Sequence, residues 1–159
     1  MKNVIIFFGK VKPRELTLIQ SVYTNRLNKL NFKIVELRDK YSAKEEKEVI
    51  IQQEKRILNI IKPDDFLIIC DERGYNISTN EIKEFFFNIH NKSGMIQGYS
   101  RIVFAVGGVY GFSDNVRNRS NLIWSLSKLV LAGGIARLVL LEALYRCMMI
   151  LNNHPYHNE

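Results

Sequence analysis

The stretch Arg101-Ile-Val-Phe-Ala-Val-Gly-Gly-Val-Tyr-Gly111 constrains the fold more than any other part of the chain. Its five apolar residues, Ile102 to Val106, include three β-branched ones and no polar alternation. Such a run reads as a strand covered on both faces, as in a parallel sheet. It closes on Gly107 and Gly108, with Gly111 three residues on. Glycines suit a tight backbone there, or a ligand that a Cβ would block, and open α/β sheets bind ligands at the carboxyl ends of strands. Gly-Gly-x-x-Gly alone does not choose between a bare turn and a binding loop.

The chain on either side supplies the sheet. Val4 to Phe8 reads as a first strand closed by Gly9, and Phe32 to Leu37 as a second. Between them a helical pattern puts Ile19, Val22, Tyr23, Leu27 and Leu30 on one face. Ser42 three residues before Glu45 is a capping-box signature. It opens a helix with Ile50, Ile57, Leu58 and Ile61 on its stripe, stopped by Pro63. Its charges at Lys44 to Glu48 read as a solvated face. Phe66 to Cys70 predicts a third strand that ends in a turn, Asp71 to Gly74. Ser78 and Glu81 form a second capping box, ahead of Ile82, Phe85, Phe86 and Ile89.

After Gly111, Ser113 and Asp114 cap a short helix that carries Arg117 and Arg119. Trp124 to Leu131 predicts one more strand, feeding a small-residue turn at Ala132-Gly133-Gly134. The last helix, Ile135 to Leu151, is apolar nearly all round, so it belongs in a core or an interface. Strand–helix order repeated in this way predicts an α/β fold: a mostly parallel open sheet with helices on both faces. At 159 residues with no linker or repeat, the whole of 1–159 reads as one domain.

The net charge of +7 is uneven: residues 1–62 hold 14 Lys and Arg against 7 Asp and Glu, and the remainder holds 9 of each. One cationic region on a neutral body suits a polyanion, with nucleic acid ahead of a membrane surface. Cys70 and Cys147 lie among apolar residues and read as free, buried thiols. There is no Cys-x-x-Cys, so neither a disulfide framework nor a metal is expected. The amino terminus reads as a strand rather than a signal peptide. Arg137, Glu142 and Arg146 interrupt the long apolar run, so no membrane span is expected and the cytoplasm is the expected compartment.

The chain carries no Gly-x-Gly-x-x-Gly after its first strand, no phosphate-binding Gly-x-x-x-x-Gly-Lys-Ser/Thr and no His-Glu-x-x-His. It does carry two glycine turns, each after a buried run, and the Asp71–Gly74 segment. Together they form a plausible cleft for an uncharged-to-cationic cofactor held by backbone groups.

Four spaced blocks then carry a resemblance: Val106-Gly107-Gly108-x-x-Gly111; Trp124-Ser125-Leu126-Ser127; Arg137-Leu-Val-Leu-Leu-Glu142-Ala-Leu-Tyr145-Arg146; and His154-Pro155-Tyr156-His157. With Phe8-Gly9-Lys10-Val-Lys12 at the other end, the chain resembles the RlmH family over its whole length. These are small SPOUT-class methyltransferases that methylate N3 of a pseudouridine in large-subunit (23S) ribosomal RNA. The resemblance implies a C-terminal trefoil knot, an exception to the rule against knots. It also implies a homodimer, S-adenosylmethionine as cofactor, and the assembled ribosome as substrate.

By position, the resemblance assigns the cofactor to Cys70, Gly107, Gly108, Leu126, Ser127, Lys128, Leu129, Val130 and Leu131. N3 of pseudouridine lies between two carbonyls and must lose a proton before it attacks, so the site must align it and stabilise an imide anion. Arg137 is the candidate for anion or phosphate contact. Tyr156, His157 and His154 are candidates for placing the base or taking its proton. Lys10, Lys12 and Arg14 are candidates for RNA phosphates. Glu142 reads as a structural partner for an arginine, and Tyr145 and Arg146 as packing residues. One departure stands out: the family commonly has Pro-His where this chain has Ala132-Gly133. A non-catalytic RNA-binding knot, or transfer to a different RNA, are the alternative readings.

Overall fold

The computed structural model describes residues 2–38, 45–91 and 94–156. In chain order it runs β1 (Asn3–Phe8), α1 (Arg14–Asn28), β2 (Phe32–Leu37), α2 (Glu46–Ile60) and β3 (Asp65–Asn76). It continues with α3 (Thr79–Asn91), a 3-10 turn (Gly94–Ile96), β4 (Arg101–Val106), α4 (Asp114–Arg119), β5 (Leu122–Ser125) and α5 (Gly133–Leu151). The five strands form one sheet in the order β2-β1-β4-β3-β5, and every pairing is parallel.

Alternation along each strand divides the core in two. Ile5, Phe7, Ile68, Phe104 and Trp124 face α1, α3 and α5. Val4, Ile6, Leu67, Ile69, Val103 and Ala105 face α2 and α4. Continuous apolar runs are therefore necessary, because both faces of the central strands are covered. Phe7, Phe32 and Phe104 are fully buried, each contributing about 1.5–3 kcal/mol over an exposed position.

Local signals hold where they act within one turn. At α3, Glu81 Oε2 accepts from Ser78 N and from Ser78 Oγ, both at 2.7 Å, and Ser78 Oγ accepts from Glu81 N at 3.3 Å, which is the capping box as read. At α4, Ser113 Oγ accepts from Val116 N at 3.2 Å. Ser42 and the side chain of Ile89 lie outside the described residues, and α2 begins after Glu45 with no side-chain cap bond.

Three expectations are corrected. β5 ends at Ser125, and 126–132 is loop, not strand. Ser125 Oγ donates to Ser127 O (2.8 Å) and Leu129 N to Ser127 Oγ (2.9 Å), and these local bonds turn the chain out of the sheet. Ala132-Gly133-Gly134 is no turn: Ala136 N bonds Ala132 O at 2.9 Å, and α5 begins at Gly133. Nor does β3 end at Cys70. Both Cys70 and Tyr75 pair with Trp124, so Asp71–Gly74 bulges out of the ladder and the strand resumes to Asn76, whose Nδ2 donates to Ser125 O at 2.8 Å.

The face of α1 also differs from its reading. Leu27 is buried, and Tyr23 and Leu30 pack on the core, but Ile19 and Val22 are exposed. Gln20 is the buried residue in that turn, because its Nε2 donates to Gly134 O at 3.0 Å and ties α1 to the start of α5. In α2, Ile57 is the core residue and Leu58 is exposed.

The amino ends of the strands are closed by paired polar groups. Buried Asp65 accepts from Arg101 Nε (2.7 Å), Arg101 Nη2 (2.8 Å) and Lys62 N (2.8 Å). Asn121 Oδ1 accepts from Leu67 N and its Nδ2 donates to Tyr99 Oη, each at 2.8 Å. Asn3 Oδ1 accepts from Ile102 N at 2.9 Å.

Candidate functional site

The carboxyl ends are open. A cleft of about 640 Å³ lies over the ends of β3, β4 and β5, within the range of small-molecule sites. Cys70, Val106 and Ser125 form its floor, where the three strands stop or bulge. Gly107 to Gly111 make one wall, and Leu126, Ser127 and Leu129 to Leu131 another. Gly133 and Ala136, in the first turn of α5, close a third side. The loop 126–132 carries the chain from edge strand β5 back to α5, which packs between α1 and α3.

The glycines have identifiable reasons. A Cβ on Gly107 would stand 3.2 Å from the Phe112 ring and 3.3 Å from the Gly111 backbone, so the loop's own bend requires it small. Gly111 has φ +72 and its N–H returns to Gly108 O at 3.0 Å, which closes the loop. Val109, at the loop tip, is 93% exposed, and Leu129 and Val130 opposite are 74% and 85% exposed. Apolar residues held out in water on two facing loops leave the sheet's core and furnish a cleft instead.

Charge is arranged around the same space. Asp71 meets Arg117 at 2.8 Å, and Arg117 Nη1 also donates to Phe112 O at 2.6 Å, which locks the β3 bulge to the glycine loop. Burial alone would raise the Asp71 pKa, but Arg73 N–H and the Arg117 guanidinium outweigh it and hold the carboxyl below its usual range. Glu46 and Glu72 line the cleft with Arg73. Desolvation pushes the Cys70 thiol far up, so it stays protonated and unreactive at neutral pH.

Of the residues assigned to the cofactor, the structure brings Cys70, Gly107, Gly108, Leu126, Ser127, Leu129, Val130 and Leu131 around this one cleft. Lys128 is exposed and is not among its lining residues. The Asp71–Gly74 segment read as part of the cleft does line it through Asp71, Glu72 and Arg73, whereas Arg117 and Glu46 were missed; the Asp71–Arg117 pair spans 46 positions and leaves no local signal.

Residues 1–157 match the family described as "Predicted SPOUT methyltransferase". The chain belongs to the SPOUT methyltransferase family. A Ribosomal RNA large subunit methyltransferase H from Trichlorobacter lovleyi is 36% identical over 99% of this chain and 100% of its own length. Proteins of the same name from Syntrophotalea carbinolica and Christiangramia forsetii are 35% and 31% identical, each over 97% or more of both chains.

Within this SPOUT protein the remaining described candidates fall outside the cleft lining. Arg137 is buried, donates to Phe8 O and to Gly9 O (2.9 Å), and its guanidinium lies 4.9 Å from the Phe7 ring. It thereby holds the end of β1 and the loop that presents Lys10 and Lys12 and leads to Arg14 at the start of α1, all three exposed. Tyr156 docks on α5: its ring meets Tyr145 at 4.9 Å, Arg146 stacks on it at 5.0 Å, and its hydroxyl reaches Glu142 Oε1 at 3.4 Å. Glu142 pairs with Arg146 at 2.7 Å, the structural role read for it. His154 is exposed, and His157 lies outside the described residues.

Proposed function

We propose that this protein transfers a methyl group from S-adenosylmethionine to N3 of a pseudouridine in large-subunit ribosomal RNA, on the assembled ribosome and in the cytoplasm. The observation that carries the reading is the cleft at the carboxyl ends of β3, β4 and β5, walled by a glycine loop and a loop of exposed apolar residues. Its family and the names of its full-length relatives support a ribosomal RNA substrate.

The residues present fit this cofactor. Backbone groups of Gly107 to Gly111 and of Leu126 to Leu131 would hold it, with Val106 and the leucines against its apolar parts. When bound, S-adenosylmethionine supplies an electrophilic methyl on a cationic sulfonium and needs no metal. Glu46, Asp71 and Glu72 against Arg73 and Arg117 leave one negative charge in excess around the cleft, which suits that cation. The protonated Cys70 thiol does not compete for the methyl.

Substrate handling falls to the rim. Lys10 and Lys12, on a loop that Arg137 clamps, and Arg14 at the start of α1 position RNA phosphates, which gives Arg137 a positioning role. Tyr23, then burial and Glu142, push the Tyr156 hydroxyl up to about 12, so near neutral pH it donates hydrogen bonds and is a poor base. Tyr156 therefore serves placement, and His154 and His157 remain the tail's proton acceptors. Gly133 lines the cleft with nothing within 4 Å of where a Cβ would stand, which leaves open the space of the family's histidine.

The proposal includes a trefoil knot in which the 126–132 loop and α5 thread the C-terminal segment, supported by the return of α5 from the sheet edge to its middle. It includes a homodimer as well. Exposed Leu18, Ile19 and Val22 on α1 and Ile135 on the adjoining α5 form an apolar surface that a second copy would cover.

The test is methyl transfer from labelled S-adenosylmethionine to ribosomes lacking the modification, beside naked rRNA and pseudouridine-free ribosomes. Label on the first substrate alone is the expected result. Label on pseudouridine-free ribosomes, or on none of the three by protein that binds the cofactor, would contradict the assignment.

A further inference from the structure

Beneath the glycine loop lies a polar side chain that the site described above does not use. Gln53 of α2 is only 5% exposed, and neither its Oε1 nor its Nε2 has a hydrogen-bond partner among the described residues. Its Cδ and Oε1 lie 3.2 and 3.3 Å from where a Cβ on Gly108 would stand, and Nε2 is closer still. The carboxamide thus occupies the space that glycine leaves at 108, and the two positions fit together as a pair. Gln53 sits two helical turns after Glu46, which lines the cleft, and one turn before the core residue Ile57. It is therefore directed at the underside of the cleft wall.

A buried amide with neither donor nor acceptor satisfied is costly, and natural proteins keep few of them. The loop above it is closed at its base by the Gly111 N–H to Gly108 O bond, while its tip, Val109, projects into solvent. A carboxamide offers one acceptor and one donor group, the complement of a peptide unit.

We propose that Gln53 is a positioning residue for the cofactor: its carboxamide takes hydrogen bonds from and to the Gly107–Tyr110 backbone when the cleft is loaded, fixing the loop in its binding form. The inference rests on the reading of the cleft as the S-adenosylmethionine site. It makes binding, rather than folding, the event that satisfies the amide, so removing the amide acts on the free and the loaded protein in opposite directions.

Gln53→Met and Gln53→Leu, which keep apolar bulk and remove both polar groups, test this on the full chain. The measurements are the thermal midpoint without ligand, and S-adenosylmethionine affinity by calorimetry. Both variants are expected to melt at or above the wild-type temperature yet bind about tenfold more weakly. In turnover the KM for the cofactor should rise, with kcat little changed. Wild-type affinity in either folded variant would overturn the proposal, as would a lowered midpoint with affinity untouched, the mark of a purely structural glutamine. Wild-type protein that fails to bind would refute the cleft assignment itself, and with it this inference.

Discussion

The two ends of the sheet are built on opposite plans. At the amino ends, Asp65, Arg101, Asn121 and Asn3 are interlocked by side-chain hydrogen bonds, and the paired charges are largely buried. At the carboxyl ends the same strands finish in glycines, a bulge and exposed apolar loops around a cleft, with an unsatisfied amide beneath one wall. One end closes the sheet and the other leaves its backbone available to a ligand. The buried polar network and the open cleft thus sit at opposite ends of the strands, although both ends draw on the same β3 and β4.

Asp65→Ala strikes the closed end hardest. It strips Arg101 of both its carboxylate bonds and leaves the Lys62 N–H without its acceptor. Removing one member of a buried pair costs about 3–5 kcal/mol, read as a fall in the urea midpoint. Cofactor affinity of the folded fraction should stay within twofold of wild type. A loss of affinity equal to the loss of stability would show the ends to be coupled.

Gly108→Leu acts at the other end with the opposite signature. A side chain there meets the Gln53 carboxamide and then the cleft, so S-adenosylmethionine affinity should fall by about 100-fold, while overpacking costs some 1–3 kcal/mol of stability. Calorimetry beside urea denaturation separates the two. Retained binding would remove the glycine loop from the site.

A smaller effect comes from pH. Asp71 has its carboxyl pKa lowered in the folded protein, so its contribution is present above the unfolded value and lost as pH falls through the folded one. Asp71→Asn should therefore flatten the acid limb of the stability profile by under about 1 kcal/mol, since the pair is partly solvated. An unchanged acid limb would mean that the Asp71–Arg117 pair holds the bulge without contributing to stability.

The same division explains what the sequence disclosed. The buried ladder was legible in β1, in β4 and in the first half of β3 because continuous apolar runs have few other uses. The caps at Ser78 and Ser113 were legible because their partners are three residues away. Around the cleft the residues were legible but the strand ends were not. Leu126 to Leu131 looked like strand because apolar residues that serve a ligand and those that serve a core have the same composition. The resumption of β3 at Tyr75 was hidden by polar residues whose pairing depends on β5, about fifty positions later. Gln20 and Gln53 carry no local signal of burial; one is buried by a bond to Gly134 across 114 positions, the other by its fit to Gly108. The glycine loop was found, but its reasons, Phe112 and Gln53, are tertiary.

If S-adenosylmethionine engages the carboxyl ends alone, amide hydrogen exchange with and without it will report protection at that end of the sheet only. Slowed exchange in 70–73, 107–111 and 126–131, with none at 64–65, 99–101 and 121, is the predicted result. Bound cofactor that protects the amino ends, or leaves the glycine and leucine loops exchanging as before, would contradict it.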